Sequence, residues 1–131
     1  MTKCILFVCT ENSARSQIAE GFFNFYKKDE RYLGVSAGTN PSVSIKPYAV
    51  EVMSEVGIDI TKQSPKILSE KMARNSYKIY TMGCISGCPL TPPEKTEDWA
   101  LEDPSGKSID EFRSVRNNIE KKVKELIFKL E

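Results

Sequence analysis

Apolar and polar residues fall in short blocks along this chain, and the period of each block suggests an element. Ile5-Leu6-Phe7-Val8 is an unbroken apolar run. Runs this short suit strands buried on both faces, so residues 3–8 read as a first strand. The pattern then becomes helical over residues 14–28. Ile18, Phe22 and Phe25 share one face there, and Lys27 and Lys28 lie near the end, where cations suit the helix dipole. Residues 32–37 read as a second strand closed by Gly38. Pro47 suits the first turn of a helix, with Ala49, Val50, Met53 and Val56 as its apolar stripe and Gly57 as its C-terminal cap. Ser64-Pro65 signals a short helix through Arg74. Residues 77–82 read as a third strand and residues 97–101, with Trp99 and Leu101, as a fourth. Ser108-Ile109-Asp110-Glu111 has the form of a capping box. It opens a last helix in which Phe112, Val115, Ile119, Val123, Leu126 and Leu130 keep helical spacing.

Strands alternating with helices predict an α/β fold: one domain over residues 1–131, with a four-stranded parallel sheet flanked by helices on both faces. Ligands of such sheets bind beyond the carboxyl ends of the strands. Cys9, Cys84 and Asp103 each fall just past a predicted strand end. Three residues far apart in sequence are therefore expected along one edge of the sheet.

The stretch Cys9-Thr10-Glu11-Asn12-Ser13-Ala14-Arg15-Ser16 joins the first strand to the first helix. Five residues between Cys9 and Arg15 are enough to wrap the backbone around an anion with N–H groups turned inward. The helix start adds further N–H groups and the positive end of its dipole. Arg15 supplies a planar, permanently charged fork for two oxyanion oxygens. The positive surroundings favour the thiolate, the reactive form of a cysteine, which makes Cys9 a candidate nucleophile beneath a tetrahedral oxyanion. The plainer reading is a buried cysteine ending a strand and a surface arginine. The strand before and the helix after argue against it.

Met82-Gly83-Cys84-Ile85-Ser86-Gly87-Cys88-Pro89 is the second informative stretch. A C-x3-C pair brings its thiols within bridging range in one helical turn or a loose loop. Pro89 disfavours helical geometry at Cys88, and Gly83 and Gly87 permit unusual backbone angles. The stretch reads as a labile, redox-active turn. It could also hold two buried thiols or half a zinc site, but zinc lacks further ligands here. Asp103, in Glu102-Asp103-Pro104, is a candidate proton donor for a leaving group. The alternative is a solvated turn acid. Cys4, inside the first strand, reads as core, as do Tyr80 and Trp99.

The anion stretch resembles that of the low-molecular-weight protein tyrosine phosphatase superfamily. From residue 3 to about residue 127 the chain resembles its thioredoxin-coupled arsenate reductases. The resemblance implies the low-molecular-weight phosphatase fold and a three-cysteine relay for arsenic detoxification. Cys9 attacks arsenate, Cys84 then attacks Cys9 and releases arsenite, and Cys88 resolves the bridge. A thioredoxin- or glutaredoxin-type donor reduces the Cys84–Cys88 disulfide. No bound cofactor is expected.

The resemblance also implies that Thr10, Glu11, Asn12, Ser13, Ala14, Arg15 and Ser16 form the oxyanion loop. Within it Asn12 holds the shape and Ser16 donates to the Cys9 thiolate. Glu11 is expected to point to solvent, since a carboxylate would repel the anion. Asp-Pro carries the acid, which selects Asp103. Two departures stand out. Related reductases often space the outer cysteines as C-x6-C, wider than here. Some also bind potassium through Asn, Glu, Ser and an Asp. Asn12, Glu20 and Ser36 match three of these, but Pro65 stands at the fourth position and supplies no carboxylate, so no metal is expected.

Composition narrows the alternatives. With 131 residues, 40% of them apolar and 28% charged, the chain can build a core without metal or disulfide staples. A net charge of +1 gives no general attraction to nucleic acid or membrane. No apolar run approaches a membrane span, and the opening residues lack signal-peptide form. The cytoplasm is the expected location and a monomer the expected state. Histidine is absent, which excludes Cys–His and Ser–His mechanisms and imidazole-bound zinc. Cysteines at 4, 9, 84 and 88 need not pair structurally in a reducing compartment. Two competing functions use the same residues. One is a phosphatase acting through Cys9, Arg15 and Asp103 on phosphotyrosine or small monoesters. Ser105-Gly106 after Asp103-Pro104 supplies no aromatic grip for a phenyl ring, and a phosphatase has no use for Cys84 and Cys88. The other is a non-catalytic anion or redox sensor.

Overall fold

The structure is a computed structural model that describes residues 2–83 and 91–131. Four strands form one parallel sheet in the order β2-β1-β3-β4: β1 (Lys3–Cys9), β2 (Tyr32–Gly38), β3 (Lys78–Thr81) and β4 (Thr96–Asp98). The helices are α1 (Arg15–Tyr26), α2 (Pro47–Glu55), α3 (Glu70–Asn75) and α4 (Ile109–Leu130). β1 lies between β2 and β3, in register Cys9↔Gly38 on one side and Val8↔Thr81 on the other. The chain leaves β1 through α1 to reach one neighbour and returns to the other, so β1 ends at the point where the strand order reverses. That is where ligands bind in open parallel sheets.

Alternation along β1 divides the core between the two faces. Ile5 and Phe7 pack with buried residues of α1, α2 and α4. Leu6 and Val8 pack on the opposite face with Ala37, Ile79, Leu68 and Ala73 of α3. Phe7 is the hub of an aromatic cluster, with ring centroids 5.9 Å from Phe23, 6.0 Å from Tyr80 and 5.8 Å from Trp99. The expected four-stranded parallel sheet with helices on both faces is therefore present.

Several local expectations are corrected by tertiary context. Ser64-Pro65 does not open a helix. Residues 64–68 run beside the end of β2 instead, with Gly38 N–H donating to Lys66 O (2.9 Å) and Leu68 N–H to Gly38 O (2.8 Å). α3 starts at Glu70, where the Ser69 hydroxyl caps it by accepting from Met72 N–H (3.1 Å). On α1, Phe25 is 56% exposed whereas Phe23 is buried against Phe7, because the sheet covers the flank next to the expected stripe. On α2 the buried residues are Ala49, Val52 and Met53; Val50 is half-buried and Val56 lies past the last turn. Trp99 and Leu101 follow β4 and do not form it. Ser108 caps α4 through Glu111 N–H (3.4 Å), and its expected stripe is buried from Phe112 to Leu126. Among the described residues no helix is long and apolar enough to cross a membrane.

Candidate active site

Residues 9–16 close the carboxyl end of β1 into a loop whose carbonyls are turned outward and engaged. Thr39 N–H donates to Cys9 O (3.3 Å), Asn40 N–H to Thr10 O (2.8 Å), Ser42 N–H to Glu11 O (2.9 Å) and Lys46 N–H to Ser13 O (2.8 Å). Gln17 Nε2 donates to Asn12 O (3.0 Å), and Ile18 N–H to Ala14 O (2.9 Å). In a trans peptide the N–H points opposite the C=O, and the chain has no cis bond among its described residues. The N–H groups that follow these carbonyls are thus directed to the inner side of the loop. α1 starts at Arg15 with no side-chain cap from Ala14, which leaves its positive end facing the same space.

That space is a cavity of about 160 Å³ lined by Cys9, Thr10, Glu11, Ser13, Ala14, Arg15, Asp103 and Ser105. Cys9 is buried, and its Sγ lies 2.9 Å from Ser16 Oγ. Asn12 takes a left-handed backbone (φ 51°), which asparagine tolerates better than most residues. Its Nδ2 donates to Ser16 Oγ (2.7 Å), and its Oδ1 accepts from Lys66 N–H (2.9 Å). The shape of the loop is thus tied both to the thiol and to the segment beside β2. Arg15 is 7% exposed. Its Nη1 donates to Met82 O and to Leu101 O (3.0 Å), carbonyls that follow β3 and β4.

Asp103 reaches the cavity from the other side, its Oδ2 3.8 Å from Arg15 Nη2. Burial pulls its carboxyl up, but hydrogen bonds from Ser105, then the charges of Arg15 and Lys46, prevail and hold it below its ordinary value. Asp103 is therefore ionised near neutral pH when no anion is bound. Glu11 lines the cavity but is exposed. Its Oε1 accepts from Ser42 Oγ (3.0 Å) and Ser13 Oγ (3.4 Å) and pairs with Lys46 Nζ at 3.6 Å.

Cys9, Arg15 and Asp103, with Thr10, Glu11, Ser13 and Ala14, come together as a lined cavity. Asn12 and Ser16 support it from behind. Cys84 and Cys88 lie outside the described residues. Gly83 itself lies beside Arg15, since a Cβ there would stand 3.4 Å from Arg15 Nη1. Cys4 is half-buried in β1, and Tyr80 and Trp99 are buried packing partners. Sequence reasoning missed Gln17, Gly38, Lys46 and Lys66 as supports of the loop. Gln17 alone carried a signal, as a polar residue flanked by the apolar positions of α1.

Among the described residues no three His, Cys, Asp or Glu side chains form a metal-binding group. Of the three residues that match a potassium site, Ser36 meets Glu20 and the Lys66 ammonium, while Asn12 meets the Lys66 backbone N–H. Ser36 Oγ donates to Glu20 Oε1 (2.6 Å), while Lys66 Nζ donates to Ser36 O (3.1 Å) and Ser64 O (3.1 Å). A cation added there would face the Lys66 ammonium, so these residues do not fit a potassium ion.

Residues 4–84 match the family model of low molecular weight phosphotyrosine protein phosphatases. The chain is 39% identical over 126 residues to arsenate reductase 2 of Staphylococcus saprophyticus, covering 94% of this chain and 95% of that one. It is 37% identical over 132 residues to the glutaredoxin arsenate reductase of Synechocystis, covering 98% of each. A solved arsenate reductase in its phosphate-binding state superposes with a TM-score of 0.86 at 36% identity, over 99% of this chain and 100% of that one. The chain with this anion loop belongs to the low molecular weight phosphotyrosine protein phosphatase family.

Proposed function

We propose that the protein reduces arsenate to arsenite by a cysteine relay. The observation that carries this reading is the buried Cys9 thiol, 2.9 Å from a serine hydroxyl, in a cavity rimmed by Arg15 and Asp103. The similarity to arsenate reductases over nearly the whole chain supports arsenic over phosphorus as the central atom. In the first step the Cys9 thiolate attacks arsenic, and one arsenate oxygen leaves as water. Loop N–H groups and Arg15 stabilise the charge that develops on the remaining oxygens. Asp103 gives the proton. A dianion entering the cavity competes for Arg15 and repels the carboxylate, which favours the protonated form that Ser105, Arg15 and Lys46 otherwise disfavour.

The Cys84 thiolate then attacks Cys9 Sγ. The S–As bond breaks, its electron pair stays on arsenic, and As(V) becomes As(III). Cys88 next attacks Cys84 and frees Cys9 as thiolate. A donor dithiol of thioredoxin or glutaredoxin type reduces Cys84–Cys88 and is itself oxidised, so two electrons pass per arsenite. Since phosphate has the shape and charge of arsenate, slow hydrolysis of aryl phosphates through Cys9 accompanies the main reaction.

The test is arsenite production with NADPH and either thioredoxin and its reductase or glutaredoxin with glutathione. Multiple turnover in the wild type that vanishes in Cys84→Ser and Cys88→Ser, while both variants retain aryl phosphatase activity, is the expected result. Steady phosphate hydrolysis with no arsenite from either donor would make the protein a phosphatase and overturn the relay.

A further inference from the structure

We propose that the Lys66 ammonium is a built-in counter-cation, standing where Asn12, Glu20 and Ser36 would otherwise hold a monovalent metal ion. The anion loop of this chain is then ordered without one.

Three observations converge on Lys66. Its ammonium donates to the carbonyls of Ser36 on β2 and Ser64, both at 3.1 Å. Its backbone N–H donates to Asn12 Oδ1 at 2.9 Å, and its carbonyl accepts from Gly38 N–H at 2.9 Å. The half-buried Glu20 carboxylate accepts from Ser36 Oγ at 2.6 Å. Burial holds that carboxyl above its ordinary value, and the hydrogen bonds of Ser36 together with the charge of Lys66 offset only part of the effect. Two carbonyls on the ammonium, with the Glu20 carboxylate held by the hydroxyl of the same Ser36, make an oxygen-rich surround of the kind that suits a hard cation. Here the cation is covalently part of the chain.

The consequence reaches the thiol through the backbone. The ammonium pins residues 64–66 to β2. That places the Lys66 N–H against Asn12, and Asn12 holds Ser16 beside Cys9. A soluble ion at this position would leave the loop dependent on the salt present. A tethered ammonium contributes the charge at fixed stoichiometry and excludes a second cation by repulsion.

The test compares thermal unfolding of the whole chain in choline, sodium and potassium chloride at equal ionic strength. The wild type is expected to unfold at the same temperature in all three. Lys66→Ala removes the charge and opens its space. It is expected to melt roughly 3–10 °C lower in choline and to recover saturably with potassium or sodium. Lys66→Met removes the charge but fills the space, so it should be lowered and not recover. A role in packing alone would not produce rescue confined to the alanine variant. A saturable potassium effect on the wild type overturns the proposal. So does a Lys66→Ala protein that melts like the wild type, or one that no cation restores. The wild-type arm needs no variant, so failure of Lys66→Ala to fold does not shield the proposal. None of these readouts depends on arsenate turnover, so the proposal can fail while the relay stands.

Discussion

At the residue scale, the site divides between groups that face the cavity and groups that hold them there. Asp103 is the cavity carboxylate paired with Arg15 among the described residues, and it reaches across from the segment after β4. Its lowered carboxyl ties the proposed proton-donor role to the arrival of an anion. Asp103→Asn is expected to slow hydrolysis of an unactivated phosphate monoester by about 10²–10⁴-fold. An activated aryl phosphate, which needs less help in leaving, should lose much less. Steady-state rates on the two esters check this, and equal losses would remove Asp103 from the proton path. The placement of Cys9 was legible because Asn12, Arg15 and Ser16 all lie within seven residues, so chain connectivity alone brings them near it. Lys66, 54 residues from Asn12, carries no such local signal.

At the element scale, the loop is backed by the end of β2. A Cβ on Gly38 would lie 2.6 Å from Thr10 O and 3.0 Å from Asn12 N, both backbone atoms with little room to yield. Gly38→Ala is therefore expected to cost about 1–3 kcal/mol, the usual range for overpacking. It should also weaken binding of inorganic phosphate by distorting the loop. Denaturant unfolding and calorimetric titration measure the two effects, and an unchanged phosphate affinity would show that the loop does not depend on this backing. Pairing with the same strand explains why Ser64-Pro65 misled. A local start signal is worth about 1 kcal/mol, and here the bonds to Gly38 keep the segment extended. Asn12, Ser64 and Lys66 meet only because β1 and β2 are neighbours.

At the scale of the whole molecule, α4 lies across α1 and α2 and is fastened by charge as well as by its apolar stripe. Arg116, only 9% exposed, donates from Nη1 to Val52 O (3.0 Å) and Glu55 Oε1 (2.7 Å), and Arg113 Nη2 pairs with Glu55 Oε2 at 2.7 Å. The hydrogen bonds from Arg113 lead in holding the Glu55 carboxyl below its ordinary value of 4.5. A carboxyl depressed by folding stabilises the native state above its unfolded value. The contribution disappears as pH falls through the folded value. Glu55→Gln should therefore melt below the wild type at pH 7, and the two curves should approach each other below about pH 4.5. Thermal melts from pH 3 to 8 check this, and a constant gap would mean that the arginines hold Glu55 by geometry and not by its charge.

The amino-acid sequence by itself determined the order of strands and helices, the parallel sheet, and the loop that holds Cys9 and Arg15 at one cavity. Each of these rests on local periodicity or on spacing within a few residues. Tertiary structure alone decided where β3, β4 and α3 begin and end, and which aromatics of α1 are buried. It also decided that Met82 and Leu101 anchor Arg15, and that Lys66 stands among Asn12, Glu20 and Ser36. These depend on contacts between segments distant along the chain. Such contacts exist only once β1 has β2 on one side and β3 on the other, and no local pattern encodes which residues then face each other.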